Sequence, residues 1–164
     1  MPHDHSAFSP HDHDACTTRA MALAEARLSA SGQRLTPVRR RTLQILLDST
    51  RALGAYEVLE RLVAEGFANQ PPVAYRALDF LEDQGLIHRI RRLNAFTACM
   101  HAGEAHAPVF LICRGCHAVA EAPAVEVTAA LTAAASRLHF TVERSTIETL
   151  GLCPACHDRP QAAA

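Results

Sequence analysis

Residues 71–99 read PPVAYRALDFLEDQGLIHRIRRLNAFTAC. A helix starts after Pro71-Pro72 and continues through AYRALDFLEDQ until Gly85 stops it. On that helix Ala77, Leu78 and Leu81 share one face, while Tyr75, Arg76 and Asp79 cluster away from it. Past Gly85 the pattern changes to two stretches holding β-branched or aromatic residues, LIHRI and AFTAC, which flank Arg91 to Asn94 as a turn. That is a hairpin. Upstream lie three further predicted helices. The first runs from Thr17 or Thr18 to Gly32; the second begins near Thr36-Pro37, where a capping hydroxyl precedes a proline at the first helical position, and carries Val38, Leu43, Leu46 and Leu47. The third spans about Ala55 to Glu65, with Val58, Leu59, Leu62 and Val63 on one side and Gly66 ending it. Helices followed by a hairpin are the order of a winged helix-turn-helix, in which the last helix before the hairpin enters the major groove of DNA.

Downstream, VFLIC (residues 109–113) reads as a short buried strand and CHAVAEA (116–122) as an alternating one. A helix follows from about Val125 to Leu138, then FTVERSTIETLGLC (140–153) as one long strand. Strands around one helix make a small α/β module, and the whole chain is α+β. A module of roughly 60 residues commonly needs a staple, and metal is the expected one.

The chain has 164 residues, 49% of them hydrophobic, and a net charge of −1, so composition alone neither favours nor excludes a nucleic-acid partner. Its distribution is uneven. Residues 1–18 carry three acids and no base, residues 19–92 twelve Arg against eight acids, and residues 93–164 four Arg against six acids. Residues 1–17 hold His3, His5, His11 and His13 among Asp, Pro and Ser, which is the composition of a flexible tail. The acidic, histidine-rich start is unlike a secretory signal, and no apolar run approaches the ~18–20 residues of a membrane helix. A cytoplasmic protein without a membrane partner is expected.

Six cysteines in such a chain point to metal ligation ahead of disulfides. Cys113-Arg-Gly-Cys116 and Cys153-Pro-Ala-Cys156 are two C-x-x-C knuckles, and four thiolates are the usual grip on a structural zinc. Redox motifs of this form normally occur singly, at a helix start. The pairs are too far apart for one short ribbon and would instead clip the two ends of a domain together. A second, looser group is His88, Cys99, His106 and Glu121. Each is ordinary by itself, in a chain that also has His101, His117, His139 and His157; together they supply one sulfur, two nitrogens and one oxygen, a set that suits Zn(II) better than Fe(II).

The motifs RLTPVR (34–39), AYRALDFL (74–81), GLIH (85–88) and the two knuckles resemble the ferric uptake regulator family over about residues 18–157. Within that family the spacings His88 to Cys99, His106 to Cys113 and Cys116 to Glu121 resemble the zinc uptake regulators. The resemblance implies a zinc-responsive transcriptional repressor that works as a homodimer on double-stranded DNA and takes no small-molecule substrate. It implies two zinc ions per chain, a structural one on Cys113, Cys116, Cys153 and Cys156 and a regulatory one on His88, Cys99, His106 and Glu121. Arg76 would meet a purine edge, Tyr75 a base by apolar contact and Tyr56 the backbone, on an AT-rich inverted repeat. The expected organisation is a tail at 1–17, a winged-helix domain at 18–100, a hinge at 101–107, a dimerisation and metal-binding domain at 108–157 and a disordered tail at 158–164. Where the family has Thr-Val ahead of Tyr-Arg this chain has Val73-Ala74, which is expected to remove a helix cap and a phosphate contact. Three rival readings stand beside this one: an iron- or peroxide-responsive regulator of the same family, a DNA-binding protein with structural zinc alone, and a zinc-dependent hydrolase with Glu121 as base. No H-E-x-x-H spacing supports the hydrolase, and the expectation is that the chain is not an enzyme.

Overall fold

A computed structural model of the chain describes residues 8, 13–102, 107–122 and 125–158. They form two units divided at residues 104–105. In the first, α1 (His13–Ala30), α2 (Pro37–Leu47), β1 (Leu53–Gly54), α3 (Ala55–Ala64) and α4 (Pro71–Asp83) are followed by the hairpin strands β2 (Ile87–Ile90) and β3 (Ala95–Ala98). Met21, Ala24 and Leu28 of α1, Leu43 and Leu46 of α2, Val58 and Leu62 of α3, and Leu78 and Leu81 of α4 meet in one core with Ile87 and Phe96 of the hairpin. Ala24 aside, each such side chain contributes roughly 1.5–3 kcal/mol on burial.

Local chemistry sets the ends of these elements. Thr36 accepts a long bond from the Arg39 N–H, 3.5 Å, with Pro37 opening α2. At the end of α4, Gly85 takes φ +66°, which lets its N–H reach the Glu82 carbonyl at 2.9 Å and the Leu86 N–H reach that of Leu81 at 2.9 Å. This closure satisfies the last carbonyls and turns the chain straight into β2 with Leu86 buried beside the core. The helix α1 begins at His13, earlier than the Thr17 or Thr18 expected, so part of the stretch assigned to the tail is helical. The apolar spacing that marked it starts only at Ala20, whereas Asp14 in the first turn favours a helix through its charge, which leaves no apolar period to see.

The hairpin sheet runs β1-β3-β2, all antiparallel, with His88 opposite Thr97 and Arg89 opposite Phe96. Its tip is a 3₁₀ turn over Arg91–Leu93 closed by Asn94 in the left-handed region, φ 46°, ψ 46°. The first unit is therefore a winged helix-turn-helix.

The second unit holds β4 (Val109–Cys113), β5 (Val119–Ala122), α5 (Val125–Ser136), β6 (Ile147–Gly151) and the short α6 (Pro154–His157). Its sheet runs β5-β4-β6, with β5 antiparallel and β6 parallel to β4. The long strand expected over 140–153 is reduced to β6. Ile147 donates to the Pro108 carbonyl at 3.1 Å, and Pro108 has no N–H with which to carry the ladder further. Residues 140–146 have no strand pairing among the described residues. The helix α5 is as apolar as its sequence promised, yet Val125, Val127 and Leu131 stay exposed and only Ala135 is buried.

Candidate metal centres and nucleic-acid interface

The parallel pairing of β4 with β6 places Cys113 opposite Gly151, so knuckles far apart in sequence leave neighbouring strands at the same level. After Cys113 the chain reverses through a turn closed by His117, φ 62°, whose N–H returns to the Cys113 carbonyl at 2.9 Å. After β6, Cys153 precedes α6 and Cys156 lies within it. The four sulfurs lie within 4.8 Å of one another, and Cys116 Sγ is 3.7 Å from Cys153 Sγ. Zinc–sulfur bonds of ~2.3 Å in a tetrahedron require sulfurs ~3.8 Å apart, so the set fits a zinc ion. Gly115 belongs to the same fit. A Cβ there would stand 3.1 Å from Cys156 Sγ and 3.3 Å from its Cβ, a tight approach that Cys156 could accommodate only by giving way a few tenths of an ångström.

The electrostatics point the same way. Burial alone would push the Cys113 thiol up, but backbone N–H groups of Cys153, Cys116 and Gly115 outweigh it and bring the group down to about 6. Cys156, hydrogen-bonded to the Cys153 sulfur, is pushed up to about 12. Such a cluster accepts one negative charge readily and resists the next; a divalent cation among the sulfurs is what would let all four ionise.

Of the looser group, His88 and Cys99 come together within the first unit. His88 is half-buried on β2; Cys99 is buried just past β3, its N–H donating to the Leu86 carbonyl at 3.0 Å. A His88 ring nitrogen and Cys99 Sγ lie within 4.8 Å of each other. Glu121 belongs to the second unit, half-buried on β5 opposite Phe110. His106 lies outside the described residues.

On α4, Ala74, Ala77, Leu78 and Leu81 are buried while Tyr75, Arg76 and Asp79 are exposed. Tyr56, in the first turn of α3, is 66% exposed. The helix buries one face and presents the other, as a groove-reading helix must. Val73 is its third residue and the cap position is Gln70, so the expected loss of a cap at Val73-Ala74 does not occur: a hydroxyl at 73 would sit inside the first turn. Three features escape sequence reasoning. Arg39 of α2 lies with its guanidinium carbon 3.4 Å from the centroid of the Phe80 ring on α4, which ties the two helices together. Arg89 is held by Asn94 across the hairpin tip. Gly115 is the third, and its signal was available, since a glycine inside a knuckle points to close approach of a sulfur.

The ferric uptake regulator family model matches residues 30–150. The chain is 33% identical over 141 residues to the zinc uptake regulation protein of Escherichia coli (strain K12), an alignment that spans 85% of this chain and 82% of that protein. Among solved structures, a zinc uptake regulator complexed with zinc and DNA is 33% identical with a TM-score of 0.81, over 87% of this chain and 95% of that one. The crystal structure of holo XcZur is 38% identical with a TM-score of 0.78, over 87% and 99%.

Proposed function

The chain belongs to the ferric uptake regulator family, and from that premise we propose that it is a zinc-responsive DNA-binding repressor that shuts off zinc uptake when zinc is plentiful. The observation that carries the choice of metal is the pair formed by His88 and Cys99, a buried thiol within 4.8 Å of an imidazole nitrogen and separate from the four-thiol cluster. A thiolate donor favours zinc over the harder ferrous ion.

In this reading each chain takes two zinc ions. Cys113, Cys116, Cys153 and Cys156 hold the structural one and keep the second unit folded. His88, Cys99, His106 and Glu121 hold the regulatory one. Bound there, zinc supplies a soft Lewis acid shared by ligands from the wing, the hinge and the dimerisation domain. Because those segments must converge to share an ion, ion binding and DNA binding are coupled, typically by ~1–3 kcal/mol. The domains are a winged-helix domain at 18–100, a hinge at 101–107 and a dimerisation domain at 108–157. A homodimer, its exposed α5 face supplying apolar surface for association, presents two copies of α4 to an AT-rich inverted repeat. There Arg76 meets a purine edge, Tyr75 makes an apolar base contact and Tyr56 lies at the backbone. A DNA-reading role places the protein in the cytoplasm; none of the described helices is long and apolar enough to cross a membrane.

The test is a titration of DNA binding by the full chain against buffered free zinc and, separately, ferrous iron, on a duplex selected from a random pool. Binding should switch on with zinc as the second ion per chain is taken up. A switch driven by ferrous iron with zinc held at one per chain would reassign the protein as an iron regulator.

A further inference from the structure

The buried residues of α4, Ala74, Ala77, Leu78 and Leu81, leave Pro72, Arg76, Asp79 and Asp83 along the opposite side, at the i, i+4, i+7, i+11 spacing of one helix face. Arg76 and Asp79 are both exposed and stand one turn apart, yet they do not pair. The Asp79 carboxylate has no hydrogen-bond or ion-pair partner among the described residues. Other acids of the first unit are put to use in the fold: Glu25, Glu57 and Glu65 each hold an arginine. Asp79 holds nothing, and aspartate is a poor helix former. The fold does not call for an acid at this position.

On a face that meets DNA an acid is also unfavourable, because it confronts a polyanion. An unfavourable charge on a binding face can serve discrimination, by excluding the wrong partners. Base edges differ in what they offer such a group. In the major groove guanine shows two acceptors and thymine an acceptor and a methyl, whereas cytosine shows an amino donor and adenine a donor beside an acceptor. A carboxylate only accepts. It is satisfied by cytosine, partly satisfied by adenine, and repelled by guanine and thymine.

We propose that Asp79 is a specificity-determining residue that selects cytosine, through its amino group, at the base pair beside the one read by Arg76. The inference rests on the DNA-binding function proposed above. Three residues advance ~4.5 Å along a helix, and successive bases lie ~3.4 Å apart along a strand, so the two side chains reach neighbouring pairs. Arg76 supplies attraction at one pair, and Asp79 supplies exclusion at the next.

The test uses the zinc-loaded full chain and a set of duplexes in which each position of the selected site is changed in turn to the other base pairs. A scrambled duplex serves as the non-specific reference. Failure of the parent to bind any selected duplex would overturn the proposed function itself. Given a binding parent, one position in each half-site should demand cytosine, and guanine or thymine there should weaken binding by about tenfold or more. Asp79→Ala should erase that preference alone, leaving the purine preference attributed to Arg76, and should bind the scrambled duplex more tightly because a repulsive charge is gone. Asp79→Asn should move the preference from cytosine to adenine, since an amide offers a donor and an acceptor together. Zinc content and dimer mass should match the parent in both variants, because the side chain is exposed and holds no partner in the fold. A parent with no cytosine-demanding position, or base preferences in Asp79→Ala identical to the parent's, would overturn the specificity role while leaving the repressor reading intact. So would a gain in affinity of equal size on every duplex, which would mark Asp79 as a charge and nothing more. Loss of the purine preference together with the cytosine preference would show that Asp79 only orients Arg76, and would overturn direct readout by the carboxylate.

Discussion

Arg76 stands exposed on α4 between residues that are buried, Ala74 and Ala77, so its backbone is fixed by the core while its guanidinium reaches outward. Removing that side chain should leave the fold untouched. Arg76→Ala is expected to lower affinity for a selected duplex by about 1–3 kcal/mol with zinc content and dimerisation unchanged. An equal loss on scrambled DNA would show a phosphate contact at most. Gly115 makes the opposite case, a residue with no functional atom of its own. Its missing Cβ leaves the space that Cys156 Sγ occupies, and Gly115→Ala must move that sulfur or its own turn. Zinc held by the four thiols should then be lost to a competing chelator at about 10- to 100-fold lower chelator concentration, the usual scale when the support of a ligand is disturbed. A variant that resists chelation as the parent does would mean the knuckle has slack that the 3.1 Å approach denies.

At the level of elements, α3 is held at its start by Glu57. Its carboxylate accepts from the Gly54 N–H at 2.8 Å and from Arg51 Nη2 at 2.6 Å. The Arg51 bond, then the Gly54 bond, hold the Glu57 carboxyl below its ordinary range. A depressed carboxylate stabilises the fold at pH values above its unfolded value of ~4.3, and the contribution is lost as pH falls through the lower folded value. Glu57→Gln keeps an acceptor for Gly54 but removes the charge. It should cost up to about 1 kcal/mol at neutral pH, the partners being half-exposed, and the gap in urea midpoint between parent and variant should close below about pH 4. A gap that persists there would trace the loss to packing. Helix ends of this kind were legible in the sequence because their signals are local: Thr36-Pro37 and Gly85 act on neighbouring groups. Strand length was not. A strand exists only where a partner offers N–H and C=O groups, and Pro108 withdraws that offer; nothing within 140–153 records it. The strand β1 was missed for a related reason, since two residues show no period.

For the molecule as a whole, the two metal sets differ in how they are written. The four thiols were readable because each knuckle is a local motif and its duplication is rare; the parallel register of β4 and β6 then supplies their meeting. His88, Cys99, His106 and Glu121 carry no local motif; their donor types make only a loose group, and it is the family resemblance that gives the group a regulatory role. Their roles should separate under mutation. Cys153→Ser removes a ligand from an ion whose folding-coupled binding is worth roughly 10–16 kcal/mol, so the second unit should fail to fold and the dimer with it. Cys99→Ser leaves that cluster intact. It should keep one tightly held zinc and normal dimer stability while losing the second zinc. With the shared ion gone, a ligand that no longer distinguishes the DNA-competent state from the other can shift nothing between them. Binding to a selected duplex should become weak and unresponsive to zinc across the range that switches the parent, whereas binding to scrambled DNA should barely change. Metal analysis and the zinc titration together decide the matter. Two zinc ions retained by Cys99→Ser, with the parent's response to zinc, would require both the regulatory ligand set and the coupling built on it to be abandoned.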